Sequence, residues 1–160
     1  MAISVGEKIP SVKIMMATDA GPQEADAREA LGAGKVALFS VPGAFTPTCS
    51  AKHLPGYIQN ESAFKEKGVD KIVCMSVNDA FVMDAWGKDQ GAGGKVEMLA
   101  DGNGDLSRAM GLTMDGKGFG MGERGQRFSA ILENGVVTQL NVEEPGAFEV
   151  SSAEHMLGQL

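Results

Sequence analysis

Val36-Ala37-Leu38-Phe39-Ser40-Val41-Pro42-Gly43-Ala44-Phe45-Thr46-Pro47-Thr48-Cys49-Ser50-Ala51-Lys52-His53-Leu54 is the stretch that decides the fold and points to the chemistry. Residues Val36 to Val41 are apolar at nearly every position, the pattern of a strand covered on both faces. Ala51 to Leu54 reads as the start of a helix. Pro42 and Pro47 stiffen the turn between them and remove donors, so the remaining N–H groups point in defined directions. Cys49 therefore falls at a strand-to-helix turn, where unpaired N–H groups and the helix dipole favour a thiolate. Thr46 can bring a hydroxyl to the sulfur or to a molecule bound there, and Phe45 and Pro42 can shield it from water. On these local grounds a buried structural thiol is as good an account of Cys49.

Working outward, strands and helices alternate. Upstream, Ser11–Met16 predicts a short edge strand and Glu24–Leu31 a short helix stopped by Gly32-Ala33-Gly34. Downstream, Pro55-Gly56 predicts an interruption, then a helix over Tyr57–Lys67 that ends at Gly68. Lys71–Val77 predicts a second buried strand. Asn78-Asp79 caps a helix over Ala80–Lys88 whose apolar face holds Phe81, Val82, Ala85 and Trp86. A strand at Val96–Ala100 and a helix at Asp105–Met110 follow, then an irregular glycine-rich segment, Gly111–Gly125. Asn134-Gly135, between Phe128–Leu132 and Val136–Leu140, is a hairpin signal. Ser151 or Ser152 caps a last helix to Leu160. The pattern predicts one α/β domain over residues 1–160, a mixed central sheet with helices on both faces, with a thioredoxin-like arrangement as one candidate.

Composition narrows the function. The chain has 160 residues, of which 43% are apolar, and 14 basic against 21 acidic residues give a net charge of −7. That balance argues against nucleic-acid binding, which needs a basic face. No apolar run approaches the roughly 18 residues of a membrane span. The start lacks a basic segment followed by an apolar one, so the expectation is a cytoplasmic protein. Its 2 cysteines are then expected to be free, and they are too few for a cysteine-only zinc site. No metal or other cofactor is expected.

Several chemistries compete for Cys49. His53, four residues on, invites a cysteine–histidine hydrolase, but no third orienting residue accompanies it; a packed or hydrogen-bonding histidine is the plainer reading. Thr46-Pro47-Thr48-Cys49 and Cys49-Ser50-Ala51-Lys52 both lack the second thiol of a Cys-x-x-Cys pair. Gly116-Lys117-Gly118-Phe119-Gly120 lacks the spacing of a nucleotide loop and reads as a flexible loop beside the site. Trp86 reads as core or interface packing.

Pro42-Gly43-Ala44-Phe45-Thr46-Pro47-Thr48-Cys49-Ser50 resembles the active-site loop of the peroxiredoxins, in the fuller form of their type II branch, which includes the plant type II enzymes and the animal fifth peroxiredoxin. The likeness continues through Lys52–Tyr57, Cys74–Val82, Ala85-Trp86-Gly87, Ala100-Asp101-Gly102 and Arg127-Phe128-Ser129, and covers essentially the whole chain. It implies a thioredoxin-fold peroxidase acting on hydrogen peroxide and alkyl hydroperoxides. Cys49 becomes the peroxidatic nucleophile, oxidised to a sulfenic acid. Thr46 bonds the thiolate and orients the peroxide, Pro42 shields the site, and the N–H groups of Thr48 and Cys49 hold the oxygens. Arg127 supplies the fixed cation, preferred to Arg124 by its place before a strand.

Cys74, inside an apolar strand, reads as a buried thiol. The animal branch carries a resolving cysteine near the C-terminus; here Phe148-Glu149-Val150-Ser151-Ser152 holds serines. Regeneration by an external thiol is therefore expected, and the resemblance to the type II branch implies glutathione and glutaredoxin, with thioredoxin and a resolving role for Cys74 as the alternative. A non-catalytic redox sensor or holdase is a further alternative. Relatives commonly form homodimers, which directs attention to Phe45, Phe81 and the loop Gly111–Gly120.

Overall fold

The computed structural model describes residues 2–160. Its centre is β3 (Lys35–Ser40), and the reason lies in its alternation. Ala37 and Phe39 enter one apolar cluster with Cys49, Leu54, Tyr57, Phe64, Cys74, Met83 and Trp86. Val36 and Leu38 enter a second, with Ala27, Leu31, Val73, Met75, Leu106 and Met110. Successive side chains of a strand point to opposite faces, so a strand apolar at every position needs a cover on each.

The other elements are β1 (Lys13–Thr18), β2 (Gly21–Asp26), α1 (Ala27–Ala30), α2 (Leu54–Gln59), α3 (Glu61–Glu66), β4 (Lys71–Ser76), α4 (Ala80–Gln90), β5 (Glu97–Ala100), α5 (Asp105–Met110), β6 (Thr113–Asp115), β7 (Glu123–Gly125), β8 (Phe128–Glu133), β9 (Val136–Val142) and α6 (Ala153–Leu157). The main sheet has 7 strands in the order β2-β1-β5-β4-β3-β8-β9. β3–β4 and β4–β5 are parallel, whereas the β1–β2, β1–β5, β3–β8 and β8–β9 pairs are antiparallel. Helices α2, α3, α4 and α6 supply the first cluster; α1 and α5 supply the second. This is the mixed, thioredoxin-like α/β fold. Among the described residues no helix is long and apolar enough to cross a membrane.

Local signals explain most ends. Asp79 Oδ1 accepts from the Val82 N–H at 2.9 Å, capping α4, and Gly91 closes that helix in the left-handed region at φ 73°. Asn134 and Gly135 both have positive φ, 51° and 81°, the primed turn that matches strand twist.

Five expectations need correction. The segment predicted as a helix over Glu24–Leu31 is helical only over Ala27–Ala30; Glu24–Asp26 belong to β2, which pairs with β1 from Lys13↔Asp26 to Thr18↔Gly21. Gln23-Glu24-Ala25 are good helix formers, but propensity is overridden here by the ladder with β1. β1 is consequently interior, between β2 and β5, and runs Lys13–Thr18 rather than Ser11–Met16. Pro55-Gly56 does not interrupt the helix. A π turn over Cys49–His53 runs straight into α2, with Pro55 in its first turn; an unbroken α-helix would drive the proline ring onto the Ala51 carbonyl. The break comes instead at Asn60, between α2 and α3. Within Gly111–Gly125, β6 and β7 form a two-stranded ribbon. The last helix ends at Leu157.

Candidate active site

The loop from Val41 to Thr48 leaves the C-terminal end of β3, where the Val41 N–H donates to the Met75 carbonyl at 3.1 Å. Asn78 holds it from β4's end: its Oδ1 accepts from the Ala44 N–H at 2.9 Å and from Ser76 Oγ at 2.6 Å. Phe45 has a positive φ of 62°, costly for a bulky residue, on the order of 1–3 kcal/mol, and kept only where its surroundings over-determine it. Helical geometry begins at Pro47 and Thr48, so the Thr48 and Cys49 N–H groups fall in a first turn that has no intrahelical acceptors.

Cys49 is buried in the first apolar cluster. Arg127 Nη2 donates to its sulfur at 3.1 Å. Strand register brings the two together. Phe128 of β8 lies opposite Ser40 of β3, so Arg127, one residue before, stands beside the loop that carries Cys49. Arg127 Nη1 bonds His53 Nδ1 at 2.8 Å. A guanidinium has no acceptor, so that nitrogen is the bare one and His53 carries its proton on Nε2, which donates to the Ser151 carbonyl at 2.9 Å. Burial, and then the charge of Arg127, push His53 from about 6.5 down to about 3, against the opposing Ser151 bond. The arginine's partner is thus a neutral ring. None of the ion pairs among the described residues involves Arg127, which leaves its charge to the sulfur.

The remaining expected residues divide. Thr46 lies in the loop, but its one hydroxyl proton goes to the Gly43 carbonyl at 2.6 Å rather than to the sulfur, leaving Oγ1 free to accept. Pro42 accepts from Arg124 Nη1 at 3.3 Å, and Arg124 Nε donates to Met121 O at 2.9 Å. Arg124 therefore braces the loop from outside, while Arg127 reaches the sulfur. Cys74 is buried in β4 opposite Phe39. Burial pushes its thiol up, as would negative charge on Cys49, with Arg127 opposing. Both cysteines are free. Trp86 is core, its indole N–H donating to Ser50 Oγ at 3.0 Å. Phe45, Phe81 and Phe119 are exposed at 55%, 73% and 82%.

Sequence reasoning missed the role of the C-terminal segment. Ser151 contributes through its carbonyl, which also accepts from Tyr57 OH at 2.9 Å. The Phe148 ring lies 5.0 Å from the His53 ring and 5.8 Å from the Arg127 guanidinium carbon. No spacing in the chain signals a backbone carbonyl or a ring contact of this kind.

Residues 4–157 match the Redoxin family. Peroxiredoxin-2E, chloroplastic, of Arabidopsis thaliana is 47% identical over 99% of this chain and 70% of its own. Peroxiredoxin-2B of the same plant is 46% identical, covering 99% of this chain and 98% of its own. Among solved structures, reduced Prx3 of Vibrio vulnificus in complex with hydrogen peroxide superposes with a TM-score of 0.94 at 50% identity, over 98% of each chain. The chain belongs to the peroxiredoxins. This peroxiredoxin is an oxidoreductase of the peroxidase class, and the loop around Cys49 lies where the fold brings a thiol, an arginine and a helix start together.

Proposed function

We propose that Cys49 is the peroxidatic nucleophile of a thiol peroxidase that reduces hydrogen peroxide and alkyl hydroperoxides and is regenerated by glutathione with glutaredoxin. The observation that carries the first half is the 3.1 Å contact between Arg127 Nη2 and Cys49 Sγ, made by an arginine whose other partner is uncharged. In this reading the thiolate attacks the terminal peroxide oxygen and the O–O bond breaks. Cys49 is oxidised to a sulfenic acid, and the departing alkoxide or hydroxide takes a solvent proton to leave as alcohol or water. Arg127 stabilises the charge that develops on the departing oxygen. The N–H groups of Thr48 and Cys49 hold the peroxide, Thr46 Oγ1 accepts its O–H, and Pro42 limits water. The bound hydrogen peroxide of the Vibrio vulnificus relative supports the substrate class.

For the second half, Cys74 lies buried within β4 and Ser151 and Ser152 stand near the C-terminus, which favours an external thiol. One thiol forms a mixed disulfide with the sulfenic sulfur and releases water; a second releases reduced Cys49 as a disulfide forms between the two reductant sulfurs. Two free cysteines fit a reducing compartment such as the cytoplasm. Exposed Phe45, Phe81 and Phe119 fit a homodimer in which a second copy covers them, checked by sedimentation of the Phe81→Asp variant. The deciding experiment measures hydrogen peroxide turnover with glutathione/glutaredoxin against thioredoxin/thioredoxin reductase. Turnover with glutathione/glutaredoxin that Cys74→Ser retains supports the reading. Turnover with thioredoxin alone, lost in Cys74→Ser, favours Cys74 as a resolving thiol and overturns the external route.

A further inference from the structure

Glu143 is a buried carboxylate that the peroxide step does not use. Its Oε2 accepts four bonds: from the N–H groups of Glu149, Val150 and Ser151 at 2.8, 2.9 and 2.8 Å, and from Ser151 Oγ at 2.6 Å. Burying a carboxylate is unfavourable unless donors compensate. Here burial pushes the carboxyl up, but the Ser151, Glu149 and Val150 donors outweigh it and hold it below the ordinary value. The other buried carboxylate, Asp101, caps α5 through Leu106 and Ser107, on the face away from Cys49. Glu143 instead stands opposite the site arginine, its own N–H donating to the Arg127 carbonyl at 3.0 Å.

What Glu143 clamps is the segment that orients His53. Ser151 O receives the His53 Nε2 proton, and Phe148, just before the clamped residues, packs on both His53 and Arg127. We infer that Glu143 is a positioning residue: by fixing Glu149–Ser151 it holds the Ser151 carbonyl and the Phe148 ring, and through His53 it aims Arg127 Nη2 at Cys49. A carboxylate touching Arg127 itself would screen its charge from the sulfur. Acting through a carbonyl and a neutral ring, Glu143 orients the guanidinium while leaving that charge in place. The inference rests on reading Cys49 as the peroxidatic thiol.

The test is the single-turnover rate of sulfenic acid formation with hydrogen peroxide in Glu143→Gln, Glu143→Asp, His53→Ala and the Glu143→Gln/His53→Ala double variant. Glu143→Gln is expected to slow the step about 10-fold to 100-fold, the scale of a small misplacement of a reacting group. Glu143→Asp, which keeps the charge on a shorter arm, falls between, and it carries the test if the glutamine variant does not fold. In the His53→Ala background, Glu143→Gln adds nothing further. The ¹⁵N shifts of the His53 ring, with the proton on Nε2 in the parent, shift toward mixed tautomers in Glu143→Gln. A wild-type rate in Glu143→Gln or, should that variant not fold, in Glu143→Asp overturns the inference. So does a loss that multiplies with that of His53→Ala, or an unchanged His53 spectrum beside a slowed step. Cys49→Ser separates the two claims: peroxide consumption surviving in that variant defeats the reading of Cys49, whatever the Glu143 variants show.

Discussion

Arg127 Nη2 lies 3.1 Å from Cys49 Sγ across 78 residues of chain, placed there by the pairing of β8 with β3. In the proposed peroxide step, a guanidinium held by a neutral histidine is placed to stabilise the charge developing on the departing oxygen. Removing it should expose that contribution. Arg127→Ala is expected to slow sulfenic acid formation by about 100-fold to 1,000-fold, the scale seen when one preorganised oxyanion donor is lost, with far-UV circular dichroism unchanged. Stopped-flow mixing with hydrogen peroxide checks this; an unchanged rate defeats the assignment. Arg124→Ala, which loosens only the brace on Pro42, should slow the step less.

The two cysteines should separate cleanly. Cys49→Ser is expected to abolish peroxide consumption. Cys74→Ser is expected to keep most of it, because a thiol buried in β4 with its ionisation pushed up is neither nucleophilic nor reachable. Coupled turnover assays of the two variants side by side read this directly.

His53 makes stability pH-dependent, with a definite sign. Its ring is held neutral down to about pH 3, against an ordinary value near 6.5. Above 6.5 both folded and unfolded chains carry it neutral and its contribution is whole. As pH falls, the unfolded chain takes up the proton first, and stability is lost at about 1.4 kcal/mol per pH unit until the folded ring titrates. From pH 7 to pH 5 this amounts to about 2 kcal/mol by the same relation. Urea unfolding at the two values should show the loss in the parent and lack this part of it in His53→Gln.

Asp79 supplies a test of helix capping. Its Oδ1 bond to the Val82 N–H caps α4, so Asp79→Ala should cost about 1 kcal/mol. A matching drop in the urea midpoint with the denaturant slope unchanged is the expected record.

Much of the architecture was written in neighbouring residues. The unbroken apolar run of β3 required cover on both faces, Asn134-Gly135 required a primed turn, Asp79 required a helix start, and Pro42–Ser50 marked Cys49. These features depend on sterics and periodicity within a few residues, so they are legible in one dimension. Residues Gly21–Asp26 were not: Gln23-Glu24-Ala25 favour a helix locally, and pairing with β1 overrode them. The surroundings of Cys49 were legible only in part. Motif position favoured Arg127 over Arg124, but only the Ser40↔Phe128 register puts one guanidinium on the sulfur and the other on the outer loop. The proton position on His53, the use of Ser151 through its carbonyl, and the burial of Glu143 belong wholly to the tertiary structure. Each arises where strand ends distant in sequence converge, and such convergence leaves no periodic trace along the chain.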